Sequence, residues 1–397
     1  MAMIYSYGLK NYFGFKEGAE VSFLLNNKVP ESISQGRDYS TILGVKGANG
    51  SGKTNLLKAL GFLSQFCTKS FSNKDENKID VNPYYSSKEP SEFYIEFRLG
   101  DVHYRYELGV TRDEIHYEKI YRKNIKSEGS GKKTRMVLVL ERIKNEINSR
   151  LEEISSVDFI LLKNNASIIS TAYNYKFQEP LEILNDVYSF FMKIITNITY
   201  VGLNDLGISS ERIIGISAYY FQHKEAFNFA KNIIIESDLG ISDIKIKERL
   251  DDDGNTEYYP VFYHAVDDNE FYLTSYEESS GTRSLYIKLY LYWVAITFGG
   301  VLVLDEFDLN CHPFILPKLL ALFEDEEINK DGAQFVFTSH ITEVMDKLSK
   351  YRTYLVNKDN NESYCYRLDE IGGDILRHGR PISPIYNEGK IGGVPRI

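Results

Sequence analysis

The sequence predicts an α/β fold in which a mixed sheet carries an antiparallel β subdomain and a compact helical insertion, and three observations lead there. An apolar run with β-branched residues, Thr41 to Val45, runs into a glycine-rich loop and then into a segment with Leu56, Leu57, Leu60 and Leu63 at helical spacing. A second continuous apolar run, Val301 to Leu304, ends in the carboxylates Asp305 and Glu306, the pattern of a parallel strand buried on both faces. Between them, residues that alternate with period two give way to residues that recur with period 3.6.

At 397 residues the chain exceeds what one simple core usually holds. The expected division is an N-terminal lobe over 1–148 with the glycine-rich loop and the antiparallel β subdomain, a helical insertion over 149–242, and a C-terminal lobe over 243–397. With 43% hydrophobic and 26% charged residues the composition is that of an ordinary globular protein. A net charge of −10 argues against wholesale coating of nucleic acid, so a DNA partner stays possible without being indicated by charge. Cys67, Cys311 and Cys365 are widely separated and form no CxxC pair, which suggests neither a disulfide framework nor a zinc site and fits a reduced cytoplasmic setting. No run of 18 apolar residues occurs and the start, MAMIYSYGLK, has no long apolar h-region, so the expectation is a cytoplasmic chain without a membrane partner.

Taken in order, residues 3 to 25 suggest two short strands around a Lys16-Glu17-Gly18 turn. Lys69 to Lys88 reads as a long exposed connection. Glu92–Leu99 and Val102–Leu108, joined at Gly100-Asp101, form a hairpin that Glu114–Tyr121 and Met136–Leu140 extend into an antiparallel sheet. The intervening Arg122–Arg135, with Lys123, Lys126, Lys132 and Lys133, is either a hairpin tip or a contact for a phosphate backbone. From Ser149 to Gly240 apolar residues recur at helix spacing, as in Leu181, Leu184, Val187 and Phe191, with no sustained heptad. Strands return at Asp243–Lys247, Glu257–His264 and Glu270–Leu273, and Asp251–Asn255 reads as a solvated turn, not a calcium loop.

Gly47-Ala48-Asn49-Gly50-Ser51-Gly52-Lys53-Thr54 fits the phosphate-loop pattern, and it has the strand and helix that the pattern requires on either side. A polyphosphate needs several backbone N–H groups at short range, and glycines let the backbone come close and adopt positive φ. The amides from Asn49 to Asn55 then meet the positive end of a helix. Lys53 would reach the β and γ phosphates of ATP, and the Thr54 hydroxyl would ligate Mg²⁺. At the end of the acidic strand, Asp305 would hold the same Mg²⁺ and Glu306 would polarise the attacking water. Gln334–His340 is another buried strand, and His340 falls where the sheet would present its next C-terminal end, a place suited to sensing the γ phosphate. Ser279, Ser280, Gly281 and Thr282 open a Leu- and Tyr-rich helix; a helix cap is the plain reading, and a capped helix start is itself a phosphate site.

This order resembles the ABC-type P-loop ATPase heads of the structural-maintenance, Rad50 and RecF group. It resembles more closely the AAA15/AAA21 branch of prokaryotic ATPases, with its OLD-like, RloA/AbiL-like and PARIS-type members. Glu278–Thr282 resembles that branch's signature, Leu304–Pro313 its acidic strand and following turn, Thr338–His340 its switch histidine, and Gly389–Pro395 the tail of the RloA-like members. Phe13 departs from the pattern, standing where many relatives place an arginine, and the glutamine loop is expected near Asn82–Tyr84. The resemblance implies a head-to-tail homodimer, open to higher assembly, in which Ser279–Thr282 of one subunit closes on ATP held by the other. It implies a sensor ATPase of an anti-phage defence system, with a phage-encoded trigger and a separate nuclease or toxin effector, because the stretch after His340 is too short for a fused nuclease domain. The alternative is a DNA-binding ATPase of repair.

Overall fold

The computed structural model describes residues 2–125, 135–203, 209–238, 240–267, 269–377 and 379–394. The basic residues Lys126, Lys132 and Lys133 of the expected hairpin tip, and Pro395 of the final motif, lie outside them.

The chain begins with β1 (Ala2–Lys10) and β2 (Ala19–Ser22), passes the single turn α1 (Glu31–Ser34) and enters β3 (Ile42–Lys46), which feeds helix α2 (Lys53–Lys69). Five strands follow: β4 (Ser91–Leu99), β5 (Val102–Val110), β6 (Ile115–Asn124), β7 (Val137–Ile143) and β8 (Glu146–Arg150). The next segment holds α3 (Ile168–Asn174), α4 (Glu182–Met192), β9 (Ile194–Thr196), β10 (Ile198–Thr199), β11 (Gly202–Leu203), α5 (Ser210–Gln222) and α6 (Lys224–Ser237). A meander of β12 (Ile241–Leu250), β13 (Thr256–Val266) and β14 (Asn269–Thr274) leads into helix α7 (Ser280–Thr297). Then come β15 (Val301–Leu304), α8 (Leu316–Glu324), β16 (Gln334–Thr338), α9 (Val344–Leu348), β17 (Thr353–Asp359), β18 (Glu362–Arg367) and α10 (Ser383–Asn387).

Two large sheets result. The central one has the order β18-β17-β3-β16-β15-β9, parallel except for β18, and the other is antiparallel in the order β2-β1-β4-β5-β6-β7-β8. Alternation along the central strands assigns their faces. Leu43, Val45, Val301, Val303 and Val336 point into a core shared with α2, α3, α4 and the antiparallel sheet. Ile42, Leu302, Leu304, Phe335 and Phe337 point into a second core with α5, α6, α7 and α8. A parallel strand covered on both faces must be apolar at every position, which is why these runs show no alternation in the sequence. Gln334 ties the two sheets together: its side chain accepts from Ile4 N at 2.6 Å and donates to Ile4 O at 3.0 Å.

The segment expected to be helical also adds a strand to the central sheet. β9 pairs with β15 in parallel, Thr196 opposite Val303, and a strand of three residues is too short to announce itself by period. Within the connection 69–88, Ile79 and Val81 are buried, and Ile79 N donates to Arg112 O at 2.8 Å, so that stretch is pinned at its centre and exposed at its flanks. Inside the antiparallel lobe, Glu118 and Arg142 form a fully buried ion pair at 3.3 Å. Glu118 also accepts from Tyr106 Oη, Ser167 Oγ and Ile168 N, and Arg142 donates to Ala166 O, which joins the sheet to the start of α3.

Candidate functional site

Three strands deliver the site because each continues its alternation one step past the last core residue. On the face that packs against α2, Val45 is followed by Gly47, Val303 by Asp305 and Val336 by Thr338. The parallel register sets Val303 opposite Val336 and Thr338 opposite Val45, so these next positions cluster at one end of the sheet, above the start of α2. The same arithmetic brings residues 54 and 305, far apart in the chain, into contact.

Thr54 Oγ1 donates to Asp305 Oδ2 at 2.7 Å, and Thr338 Oγ1 donates to Asp305 Oδ1 at 2.5 Å. Both carboxylate oxygens are thus held, and Asp305 is buried. Its backbone is held too, because Asn197, just past β9, accepts from Asp305 N at 2.8 Å and donates to Asp305 O at 3.0 Å. Glu306 leaves the strand with φ 47°, a left-handed conformation that costs about 1–3 kcal/mol in a residue with a β-carbon. Its N–H donates to Thr338 Oγ1 at 2.7 Å. The turn leaves the Glu306 carboxylate partly exposed beside His340, with Oε1 3.4 Å from Nε2. The His340 N–H is held by the Asp308 carboxylate at 3.3 Å.

The loop has the features its sequence requires. Gly47, Gly50 and Gly52 have φ of 155°, 76° and 114°. A β-carbon on Gly47 would come within 2.3 Å of Val356 O. No side chain caps α2, so its first N–H groups point into the loop. Lys53 is buried and donates to Gly47 O at 2.8 Å and Ala48 O at 3.0 Å, closing the loop on itself. Burial pulls its ammonium below the ordinary lysine range, with Asp305 and Glu306 opposing. Ser51 Oγ is buried without a hydrogen-bond partner. Asn49 and Gly50 are exposed at the crest, and Asn55 is half-buried in the first turn of α2.

A second lysine lies at the base of the loop. Lys46, the last residue of β3, is buried 5.7 Å from the centre of the Tyr386 ring, and burial lowers its ammonium to about 8 against the pull of Asp308. A third, Lys58 on α2, lies 4.4 Å over the Phe13 ring and donates to Tyr200 O at 3.1 Å. A cation therefore occupies the neighbourhood where Phe13 replaces the expected arginine. Asn82, in the region expected for the glutamine loop, touches the same cluster through Phe13 N at 2.8 Å and Tyr200 Oη at 2.8 Å.

The remaining expected residues sit together but apart from the loop. Ser279 caps α7, accepting from Thr282 N at 3.1 Å; Thr282 Oγ1 donates to Asp238 at 2.8 Å, and buried Glu278 pairs with His264 at 2.6 Å. Ser279 and Ser280 are exposed, and a β-carbon on Gly281 would lie 3.5 Å from Asn310 O. The hydrogen bonds of this helix start lead to Asp238 and Glu278, not to Lys53 or Thr54. Asn197 and Lys46 lay outside the motifs, and Thr338 and Asp308 fell within them with no role of their own assigned. Thr338 had a usable signal, a hydroxyl at the end of a buried strand; Asn197 had none.

The donor set suits a small hard cation beside a polyphosphate. One hydroxyl and one carboxylate at 2.7 Å match Mg²⁺, which takes few protein oxygens and completes its shell with phosphates and water. Among the described residues there is no cluster of three or more His, Cys, Asp or Glu that could hold a metal without such help. No helix among them is long and apolar enough to cross a membrane.

Comparisons with known proteins give the chain's family and fold relatives. A family described as "AAA domain, putative AbiEii toxin, Type IV TA system" matches residues 42–346. No curated protein matches the chain. Among solved structures, the chain is similar to an Smc head bound to the C-winged helix domain of ScpA, with 14% identity over 91% of this chain and 96% of that one and a TM-score of 0.47. It is similar to an Smc head domain with coiled coil and joint from Pyrococcus yayanosii, with 11% identity, 98% and 100% coverage and a TM-score of 0.45. RecF bound to ATPrS gives 13% identity, 92% and 98% coverage and a TM-score of 0.35.

Proposed function

Since the chain belongs to the AAA_21 family of ABC-type ATPase domains, we propose that it binds and slowly hydrolyses ATP with Mg²⁺, and that it is the regulatory component of an anti-phage defence system acting on a separate nuclease or toxin. The observation that carries the ATPase half is the shared carboxylate: Asp305 holds the Thr54 and Thr338 hydroxyls on its two oxygens. Glu306 and His340 stand next to it.

In this reading Lys53 exchanges its two loop carbonyls for the β and γ phosphates, and the N–H groups from Asn49 to Asn55 surround the β phosphate. Mg²⁺, when bound, supplies charge neutralisation across the phosphates, held by Thr54 and Asp305. Glu306 orients a water and accepts its proton, and His340 fixes the Glu306 carboxylate and meets the γ phosphate. Its partly exposed position suits a group that works at a solvent-fed face.

The second half of the site comes from another copy. Ser279 and Ser280 are exposed at a capped helix start, with Thr282 buried behind them, and its bonds do not lead to the loop of the same chain. Large exposed aromatics flank it: Tyr272 and Tyr276 precede it, and Phe314 follows the acidic turn at 89% exposure. Exposed aromatic clusters are what contact surfaces are made of. ATP then bridges two copies head to tail, and hydrolysis releases them.

The defence role rests on the family's description, "AAA domain, putative AbiEii toxin, Type IV TA system", and on the sequence resemblance to anti-phage ATPases. Glu306→Gln tests the chemistry. Sedimentation with ATP should give a stable dimer that no longer turns over; turnover at the unaltered rate, or no ATP-dependent dimer in either form, refutes the reading. Cells carrying the gene with its neighbours should resist phage and lose resistance with Lys53→Ala. Equal infection in both, together with tight salt-dependent DNA binding by the lone protein, would point to repair instead.

A further inference from the structure

A concave pocket of about 490 Å³ opens at the N-terminal end of β17, away from the phosphate loop, which leaves the C-terminal end of the parallel neighbour β3. It shares no residue with the loop or the acidic turn. The chain leaves α9 through Ser349, whose φ of 64° carries it into Lys350, Tyr351 and Arg352 along one wall. α1 contributes Ser32 and Ile33, and the stretch before α10 contributes Leu376, Arg377 and Arg380.

Among the described residues that line it are five cations, Lys347, Lys350, Arg352, Arg377 and Arg380, and two acids, Glu324 and Asp346. In a chain of net charge −10 this is a local reversal of sign. Both acids are already satisfied by the protein. Glu324 pairs with Arg352 at 2.5 Å and with Lys347 at 3.3 Å. Asp346 accepts from Ile382 N, from Ser383 N at 2.9 Å and from Ser383 Oγ at 2.5 Å, which anchors the start of α10. The other three cations have weaker partners. Lys350 Nζ donates to the neutral Leu376 O at 2.9 Å, Arg377 meets Asp374 at 2.6 Å in a solvent-exposed pair, and Arg380 has no side-chain partner among the described residues. Like charges gathered in a concavity repel one another, a cost that a bound anion removes, and a cleft of one sign focuses its field on such a ligand.

We propose that this pocket binds a small molecule carrying a phosphate or pyrophosphate group, at a site separate from the phosphate loop. Its cations come from two short stretches, 347–352 and 377–380, that meet at one cavity. Their charge therefore converges on a compact group with two or more negative charges, whereas a spaced track of cations would suit an extended acidic chain. Planar guanidinium groups match phosphate oxygens two at a time, and Ser32, Gln35 and Ser349 add polar groups to the lining. The volume lies within the range of about 300–1,000 Å³ typical of small-molecule sites. The stretch that lines the pocket runs into α10, whose Tyr386 ring faces Lys46 at the base of the loop, so an occupant adjoins a segment that also meets the loop. Inorganic pyrophosphate is the probe, titrated calorimetrically into the whole Lys53→Ala chain so that the loop does not contribute. One site is expected. Lys350→Gln and Arg380→Gln should each weaken it at least about tenfold, the loss of one charge-assisted hydrogen bond, and Arg380→Lys, which keeps the charge, should weaken it less. Lys144→Gln, which removes an exposed cation of the antiparallel lobe, should change it by less than about twofold. Circular dichroism should show every variant folded. No binding, or binding that Lys350→Gln and Arg380→Gln leave unchanged or that Lys144→Gln weakens as much, would overturn the proposal. Tighter binding of pentaglutamate than of pyrophosphate would overturn it too, in favour of a docking site for an acidic peptide.

Discussion

At the scale of single residues the site is a set of hydroxyls and carboxylates that hold one another in register. Thr338 serves Asp305 through its hydroxyl oxygen as donor and Glu306 through the same oxygen as acceptor, so one side chain fixes two neighbours. Lys53 is the only loop side chain that donates to the loop's own carbonyls among the described residues. Lys53→Ala should therefore abolish ATP binding while the fold persists, checked by titration and circular dichroism; undiminished affinity would remove the loop from the mechanism. Lys46 gives a pH signature. Its folded value of about 8 lies below the ordinary lysine value near 10.4, so between about pH 8 and 10 the unfolded chain binds a proton that the folded chain does not. Stability should rise with pH across that window, and below it the full penalty of the buried charge remains, eased by Asp308 and Glu343 and deepened by Lys53. Lys46→Met should flatten that slope and raise the urea midpoint at pH 7; an unchanged slope would show that another group is responsible.

At the scale of elements, α7 and β15 do opposite things with adjacent stretches of chain. β15 carries Asp305 inward to meet α2, whereas the start of α7 turns Ser279 and Ser280 to solvent. A capped helix start in contact with the acidic turn, yet bonded away from the loop of its own chain, is suited to completing another copy's site. Ser279→Arg should leave ATP binding to the single chain intact, because none of the loop contacts involve Ser279, and should reduce hydrolysis at least tenfold by preventing closure. Sedimentation and phosphate release would check the two halves separately. Normal turnover in a strictly monomeric Ser279→Arg protein would remove the second copy from the mechanism.

Across the whole molecule, the two largest cores lie on either side of the central sheet, with the site at that sheet's C-terminal edge. Gln334 ties the two large sheets through Ile4, and the antiparallel lobe is held internally by the fully buried Glu118–Arg142 pair. Arg142→Met would leave the Glu118 carboxylate buried with neutral donors alone. It should cost about 3–5 kcal/mol of global stability, read from urea unfolding, while ATP affinity of the protein that remains folded stays unchanged. A loss of ATP affinity in that variant would mean that the antiparallel lobe and the nucleotide site share more than a scaffold.

By itself the sequence determined the elements whose signals are local. A phosphate loop is a string of eight residues whose backbone requirements are met within the string, and the strands leading to Asp305 and Thr338 carry the continuous apolar runs Val301–Leu304 and Phe335–Phe337 because both faces are covered. The antiparallel strands showed in period-two alternation for the same local reason. What only the tertiary structure decided is everything that depends on two distant segments meeting. Asn197 grips Asp305 because a three-residue strand adds itself beside β15, and such a strand has no period to read. Lys46 belongs to the base of the loop only because Tyr386, far along the chain, closes over it. The segment around Gly393 became a wall of the loop only through bonds to Asn357 and Tyr386. Hydrogen bonds across such separations depend on the packing of the intervening chain, and no window of sequence contains them.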